Sequence, residues 1–276
     1  MTIVTRDEWL NLAIDEIDYT YGLRVQPKHE TFHKFGLTNN ADNGVRTTIG
    51  VFLGSEVNET YSTANEAYAI VSDDGGDTEQ IEVHGHYFDS SNNLATFNET
   101  ITLNGLTPVS LSRDLCRIGE LHVTGGTYAS PATPIVGNVS CYATSGVTVT
   151  LGVPQTASAV KCLIPAGYQQ SEKCADSVSN TDFFIVTSIF ANATKATGVG
   201  ASIEIDVEFR PIGGVFRQMG VQGTIRTSAG GGYHDNLKPY RIIQNNSDFR
   251  LIAISDAANA SVFGYISGTF CEVIGN

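Results

Sequence analysis

The sequence predicts an all-β protein, built as two β-sandwich (jelly-roll-like) domains behind a short N-terminal helical arm. From about residue 31 onward, short segments such as residues 80–88 and 201–209 alternate apolar and polar residues or are rich in β-branched residues. Clusters of Asn, Asp, Ser and Gly separate these segments and supply the residues that close turns. Many short strands without intervening helices favour a sandwich, jelly roll or barrel over βαβ units.

The only convincing helical pattern lies at the N-terminus. Thr5 and Glu8 have the spacing of a capping box, and Gly22 is placed to end the helix. A helix of this length is marginal alone, so its apolar stripe must pack either on its own chain or on a partner. The candidate interaction residues of this stripe are Trp9, Leu10, Ile14 and Ile17.

The chain divides into an arm (residues 1–30), a first β-sandwich domain (31–164) and a second (165–276). The second boundary is set by Pro165, Gly167 and the polar run at residues 169–180. A single large sandwich is the alternative, because no internal repeat is strong enough to indicate duplication.

The formal net charge of −13 argues against binding to phosphate backbones, and no cluster of Lys and Arg overrides it. No apolar run of about 18 residues indicates a membrane span. The acidic residues of positions 1–21 do not fit a signal peptide. We therefore expect a protein made in a cytoplasm, with neither nucleic acid nor membrane as a partner.

Motifs for catalysis are absent from the sequence: it has no Gly-x-Ser-x-Gly elbow, P-loop, dinucleotide fingerprint or zincin motif. We expect no enzyme activity and no cofactor. Glu204, Asp206 and Glu208 alternate on one strand, which leaves a glycan hydrolase on a jelly-roll scaffold open, because the spacing of such carboxylates is set in three dimensions.

His84 and His86 are the best candidates for a metal site. Two residues apart on a strand, they share one face with Cα atoms about 7 Å apart, and they could chelate a metal if His122 or an Asp joined them. A surface pair beside a Gly kink at Gly85 is the favoured alternative. The acidic run at residues 73–77 resembles a calcium loop but lacks EF-hand spacing, so a solvated turn is favoured there.

The five cysteines form no C-x-x-C pair, and buried free thiols are the favoured interpretation. If a disulfide forms in an oxidising medium, Cys162 and Cys174 are the first pair to test. Arg210 and Arg217 flank a tight Pro-x-Gly-Gly reversal, and in an assembly they would pair with acidic neighbours.

Six turn-and-strand motifs carry a family resemblance: His33-Lys34-Phe35-Gly36, Thr102-Leu103-Asn104-Gly105-Leu106-Thr107-Pro108-Val109, Cys116-Arg117-Ile118, Val123-Thr124-Gly125-Gly126, Ile164-Pro165-Ala166-Gly167 and Arg210-Pro211-Ile212-Gly213-Gly214-Val215-Phe216. Through them the chain resembles virion structural proteins of tailed bacteriophages, particularly marine ones. The resemblance implies a two-domain β protein on the capsid or near the neck, with no catalytic residues to carry over. The N-terminal helix departs from that pattern.

The resemblance implies a capsid decoration, or cement, protein that is located in the virion after assembly in the host cytoplasm. Its expected partners are copies of itself and either the major capsid protein or proteins of the neck and portal region. Three alternatives stay open: a neck, collar or tail-associated connector, a carbohydrate- or receptor-binding β-sandwich of a fibre, and the glycan hydrolase.

Overall fold

The computed structural model describes residues 6–41, 44–50, 59–124, 134–195, 200–227, 231–257 and 260–274. Strands dominate these residues, and the one α-helix lies at the N-terminus, so the prediction of an all-β chain with an N-terminal helix is confirmed. The four larger sheets are arranged like the blades of a four-bladed propeller and do not clearly form the two predicted sandwich domains.

Helix α1 spans Arg6–Tyr21, and a short 3-10 turn spans Ala157–Ala159. The strands are β1 (Val25–Ala41), β2 (Arg46–Thr48), β3 (Tyr68–Ser72), β4 (Gln80–Phe88), β5 (Leu94–Thr102), β6 (Val109–Ser110), β7 (Arg117–Val123), β8 (Val139–Ala143), β9 (Val149–Thr150), β10 (Val153–Pro154), β11 (Val160–Ile164), β12 (Ala175–Val178), β13 (Asp182–Lys195), β14 (Ser202–Pro211), β15 (Arg217–Arg226), β16 (Gly231–Ile243), β17 (Ser247–Ser255) and β18 (Ala260–Val273).

All strand pairs in these sheets are antiparallel. Sheet 1 has the strand order β1-β18-β13-β16, and sheet 2 has β12-β17-β14-β15 with β2 also paired to β17. Sheet 3 has the order β11-β8-β3-β6, and sheet 4 has β5-β4-β7; β9 and β10 form a separate small pair.

Two large clusters of buried apolar side chains each join two sheets. The first lies between sheets 1 and 2, where the rings of Phe184 and Phe249 stack with centroids 4.9 Å apart. The second lies between sheets 3 and 4 and includes Ile81, Leu121 and Cys141. The change from the second cluster to the first falls between Ile164 and Cys174 along the chain.

The N-terminal strands β1 and β2 pair with strands from the C-terminal part of the chain, although the sequence assigns most of their residues to the first domain. The predicted first domain starts at residue 31, but β1 pairs with β18 along most of its length and β2 pairs with β17. Gly36 on β1 allows this packing, because a Cβ there would lie 2.3 Å from the backbone oxygen of Ile49. Strands β1 and β2 therefore pair with the C-terminal strands, and β1 begins within the predicted arm of residues 1–30.

Helix α1 ends where the sequence predicts. Gly22 has a φ of +65° and its N–H donates to the carbonyl of Asp18 at 2.8 Å, which is a left-handed helix end that glycine adopts without strain. Thr5 of the predicted capping box lies outside the described residues.

Candidate functional site

A buried seam of charged residues joins sheets 1 and 2 to sheet 4. At one end of the seam, Nζ of Lys34 lies 2.8 Å from Oε2 of Glu120 and 3.2 Å from Oδ2 of Asp176, and it donates to the carbonyl of Gly119 at 2.9 Å. Burial alone would lower the pKa of Lys34, but the two carboxylates hold that pKa above its ordinary value. Lys34 is therefore a cation inside the protein, bound to both sides of the seam.

At the other end of the seam, Arg117 of β7 reaches Asp248 of β17. Its Nε and Nη2 donate to the two carboxylate oxygens at 2.7 and 3.0 Å, the two-pronged geometry that suits a guanidinium. Arg210 donates to the same carboxylate at 3.0 Å, and Ser177 donates to it at 2.6 Å. Burial would lower the pKa of Arg117, and the hydrogen bonds to Asp248 raise that pKa above its ordinary value.

Arg210, which the sequence offered for pairing with acidic neighbours in an assembly, is instead paired with Asp248 of its own chain. Arg217 lies exposed at the start of β15. Lys34, Arg117 and Arg210 also lie in three of the motifs that carry the family resemblance. These motifs thus contain the residues that join the sheets, which is a structural role.

A pocket of about 290 Å³ opens along the seam. Its walls come from sheet 4 on one side and from sheets 1 and 2 on the other. The polar side chains that line it include His84, His86, Asn98, Glu120, His122 and Asp176.

On the sheet 4 side of this pocket, Glu82, His84 and His122 form a group of close side chains. The carboxylate oxygens of Glu82 lie 3.4 Å from Nε2 of His84 and 3.0 Å from Nε2 of His122. The two imidazole rings stack, with centroids 5.2 Å apart and an interplanar angle of 20°. The structure thus brings the predicted metal candidate His84 together with His122, the third ligand that the sequence named conditionally.

His86, the second predicted metal candidate, is not part of this group. It is buried, and its Nδ1 has no hydrogen-bond partner among the described residues and lies 4.0 Å from Oδ1 of Asp176. Burial lowers the pKa of His86, so the ring stays neutral in the folded protein to a lower pH than an exposed histidine does.

The outer face of sheet 1 is covered at one end and open at the other. At the covered end, α1 packs on Phe183, Ile185, Tyr240 and Cys271. Ile17 is fully buried there, and Trp9, Leu10 and Ile14 are partly buried against the same cluster. The stripe proposed as an interaction surface from the sequence therefore packs on its own chain, because it matches an apolar patch of sheet 1.

At the open end, an aromatic row crosses all four strands of sheet 1. Phe35, Tyr265, Phe190 and His234 occupy directly opposed positions on β1, β18, β13 and β16, and the rings of Phe190 and Tyr265 stack at 5.3 Å. All four side chains are partly or fully exposed. The open face is defined here as this row and the next one, which consists of Leu37, Phe263, Asn192 and Gly232.

All five cysteines are free and buried. Cys162 lies in the cluster between sheets 3 and 4, directly opposite Cys141, whereas Cys174 lies in the cluster between sheets 1 and 2. The suggested pairing of Cys162 with Cys174 is therefore wrong for this fold, because the two thiols belong to different cores.

Two of the carboxylates considered for hydrolysis or calcium binding, Glu208 and Asp77, are engaged in other contacts. Glu208 forms ion pairs with Arg46 and Arg250, and Asp206 is buried beside it on β14, whereas Glu204 is exposed. In the acidic turn, Asp77 accepts hydrogen bonds from the backbone N–H groups of residues 136 and 137 and from Ser72. The contacts of Glu208 therefore stabilise neighbouring strands, and those of Asp77 stabilise the turn.

Sequence reasoning missed the seam and the part played by Glu82. A signal for the seam was present: Lys34, Arg117 and Asp248 are charged residues next to apolar residues within strand segments, a pattern that requires a buried partner. Glu82 precedes His84 by two residues, so the strand rule that paired His84 with His86 would have found it as well.

No family model and no curated protein matches the sequence. Among solved structures, the chain shows similarity to a structure of infectious bursal disease virus Gt strain, with 9% identity over 95% of this chain and 83% of that chain and a TM-score of 0.20. The infectious bursal disease virus VP2 subviral particle gives 10% identity over 92% and 82%, with a TM-score of 0.21. A Bacillus thuringiensis Cry1Da tryptic core variant gives 9% identity over 82% and 58%, with a TM-score of 0.18. These TM-scores are too low to indicate a shared fold.

In the part of the chain that the structure describes, no helix has the length and apolar character needed to cross a membrane.

Proposed function

We propose that this chain is a structural, non-enzymatic protein of a virion. Copies of the chain assemble with one another through repeated contacts. More specifically, we propose that it decorates or cements the capsid of a tailed bacteriophage, touching the major capsid protein. The observation that carries the proposal is the open face of sheet 1. The six motifs that resemble tailed-phage virion proteins support the choice of particle.

The open face has the composition of an interface. Aromatic residues are enriched and charged residues depleted at the centres of protein–protein contacts. None of the eight residues of the open face is Asp, Glu, Lys or Arg, although the whole chain carries a formal charge of −13. Two copies that approach through this face therefore bury rings and avoid direct opposition of like charges.

The rigidity of the molecule also fits a shell component. The seam joins the sheets through buried ion pairs, so a contact made on sheet 1 is held in a fixed orientation to the rest of the chain. Repeated contacts of fixed geometry between identical subunits close into rings or lattices.

The test is self-association, measured by sedimentation over a range of concentrations, with the open face removed by Phe190→Ser and Tyr265→Ser. The control is Tyr19→Ser, which removes a ring that is 94% exposed on α1. We expect the unaltered chain to associate and the two open-face variants to associate about tenfold or more weakly, because loss of an aromatic hot spot costs about 2 kcal/mol or more and about 1.4 kcal/mol is tenfold. A chain that stays monomeric and does not bind to tailed-phage particles contradicts the proposal.

The number of copies bound to each phage particle distinguishes a location on the capsid surface from a location at the neck, collar or tail. Binding in a lattice over the whole shell supports capsid decoration, and a single ring of copies supports the neck, collar or tail-associated alternative.

A second candidate function is carbohydrate or receptor binding, which the same face favours because Asn192 lies beside the rings of Phe190 and Phe263. Aromatic rings next to an amide suit the apolar faces and hydroxyls of sugars. Glycan binding that Phe190→Ser abolishes, in a chain that remains monomeric, would establish this candidate over the first.

A further inference from the structure

Glu82, His84 and His122 meet on one face of sheet 4 because of the strand register. Glu82 and His84 are two residues apart on β4, so they share a face, and His122 on β7 lies directly opposite Glu82. The ligand atoms of all three side chains lie within 4.8 Å of one another, and each side chain is about one-third exposed. An ion from solvent can therefore reach them.

The contact between His84 and Asn98 directs the other ring nitrogen of His84 towards Glu82. Nδ1 of His84 lies 2.7 Å from Oδ1 of Asn98 on β5, a contact in which Nδ1–H donates to the amide oxygen. In the neutral ring, Nε2 then presents its lone pair towards the carboxylate of Glu82 at 3.4 Å. Two acceptors facing each other repel unless a proton or a metal ion lies between them. Metal-bound histidines usually donate their other N–H to such an oxygen.

We propose that Glu82, His84 and His122 bind a divalent transition-metal ion, with Zn²⁺ as the best fit. Zinc binds imidazole nitrogen and carboxylate oxygen at about 2.0–2.2 Å, which places neighbouring ligands of a tetrahedral ion about 3.3–3.5 Å apart. The observed nitrogen–oxygen separations of 3.0 and 3.4 Å are close to that edge length. Two imidazole ligands select against Mg²⁺ and Ca²⁺, which take oxygen ligands.

Three protein ligands leave the fourth position of a tetrahedral ion open. His84 and His122 both line the pocket at the seam, so that position is available to water or to an oxygen ligand that enters the pocket. The site is separate from the open face of sheet 1, and it does not depend on the proposed virion function.

The test uses the full chain without an affinity tag, with Co²⁺ as a spectroscopic substitute for Zn²⁺. We expect about one Co²⁺ per chain with the visible absorption of a four-coordinate ion, displaced by Zn²⁺ and not by Mg²⁺. Glu82→Gln, His84→Ala and His122→Ala should each abolish the spectrum. Asn98→Ala should weaken binding by about 10–100-fold, because it removes only the group that orients His84.

His234→Ala is the matched control, because it removes an exposed histidine of the open face and should leave Co²⁺ binding unchanged. Thermal unfolding of each variant without metal separates loss of binding from loss of folding. Failure of the unaltered chain to bind Co²⁺ or Zn²⁺ at micromolar concentration contradicts the proposal. Equal loss of binding in His234→Ala contradicts it as well.

Discussion

The seam and the open face of sheet 1 begin at adjacent residues of β1 and differ in where their side chains find partners. Lys34 turns inward and is held by Glu120 and Asp176, whereas Phe35 turns outward and begins the exposed aromatic row. The seam brings together buried charges that have partners inside the chain. The open face presents rings without charge to solvent. We infer that the seam fixes the shape of the molecule and that the open face serves contacts with other molecules.

Removing Asp248 from the seam should give the largest loss of stability. Asp248→Ala leaves Arg117 buried without its carboxylate and also deprives Arg210 of its partner. Removing one member of a buried pair costs about 3–5 kcal/mol, so we expect a loss of this size in the free energy of unfolding, measured by urea denaturation.

The matched control for Asp248 is Asp256→Ala, which removes an exposed carboxylate that accepts a hydrogen bond from the N–H of Ser202. It should cost no more than about 1 kcal/mol. Self-association of the folded fraction should be the same in both variants, because neither residue belongs to the open face. Equal losses of stability in the two variants would show that the seam does not hold the sheets together.

Weakening the contact between α1 and the covered end of sheet 1 should give the next largest loss of stability. Ile17→Ala opens a cavity between α1 and the sheet and should destabilise the protein by about 2–4 kcal/mol, whereas Leu12→Ala, on the exposed side of the same helix, should change stability by less than about 0.5 kcal/mol. If the helix detaches, the covered end becomes a second open end, and the sedimentation mass of Ile17→Ala should rise. A variant that is destabilised no more than Leu12→Ala would place the helix outside the folded unit.

The positions of the strands and the helix were predicted from the sequence more accurately than the pairing of the strands and the packing of the sheets. Period-two patterns and turn clusters are local, so the β character of residues 80–88 and the helix end at Gly22 could be derived from neighbours along the chain. The pairing of β1 with β18 joins opposite ends of the chain, and no local pattern specifies it. The seam could not be predicted for the same reason, because Arg117 and Asp248 are distant along the chain and come into contact only when the sheets pack.

The candidate metal site was predicted in part. The two-residue strand rule placed His84 and His86 on one face, and both do line the pocket. It could not show that His86 lies buried beside Asp176 while His84 meets Glu82 and His122 across the strand pair. That distinction depends on the register between β4 and β7 and on the packing of sheet 1 against the pocket.

Acidic pH should lower the stability of the protein by a smaller amount, through the buried ring of His86. Burial lowers the pKa of His86, and the positive charges of Arg117 and Lys34 act in the same direction, against the opposing influence of Asp176 and Asp248. The unfolded chain takes up a proton at His86 near pH 6.5, and the folded chain does so only at lower pH. Stability linked to His86 is therefore fully present above about pH 6.5 and is lost as the pH falls below that value.

We expect the free energy of unfolding to be lower at pH 5.5 than at pH 7.5, and His86→Gln to reduce that difference by up to about 1.4 kcal/mol. His234→Gln, a change on the open face far from His86, is the control. Asp176 adds a second loss of stability at more acidic pH. Burial alone would raise the pKa of this carboxyl, but Lys34 holds it below its ordinary value, so its contribution disappears only as the group is protonated. An acid response of equal size in the two histidine variants would show that His86 does not account for the loss of stability between pH 7.5 and 5.5.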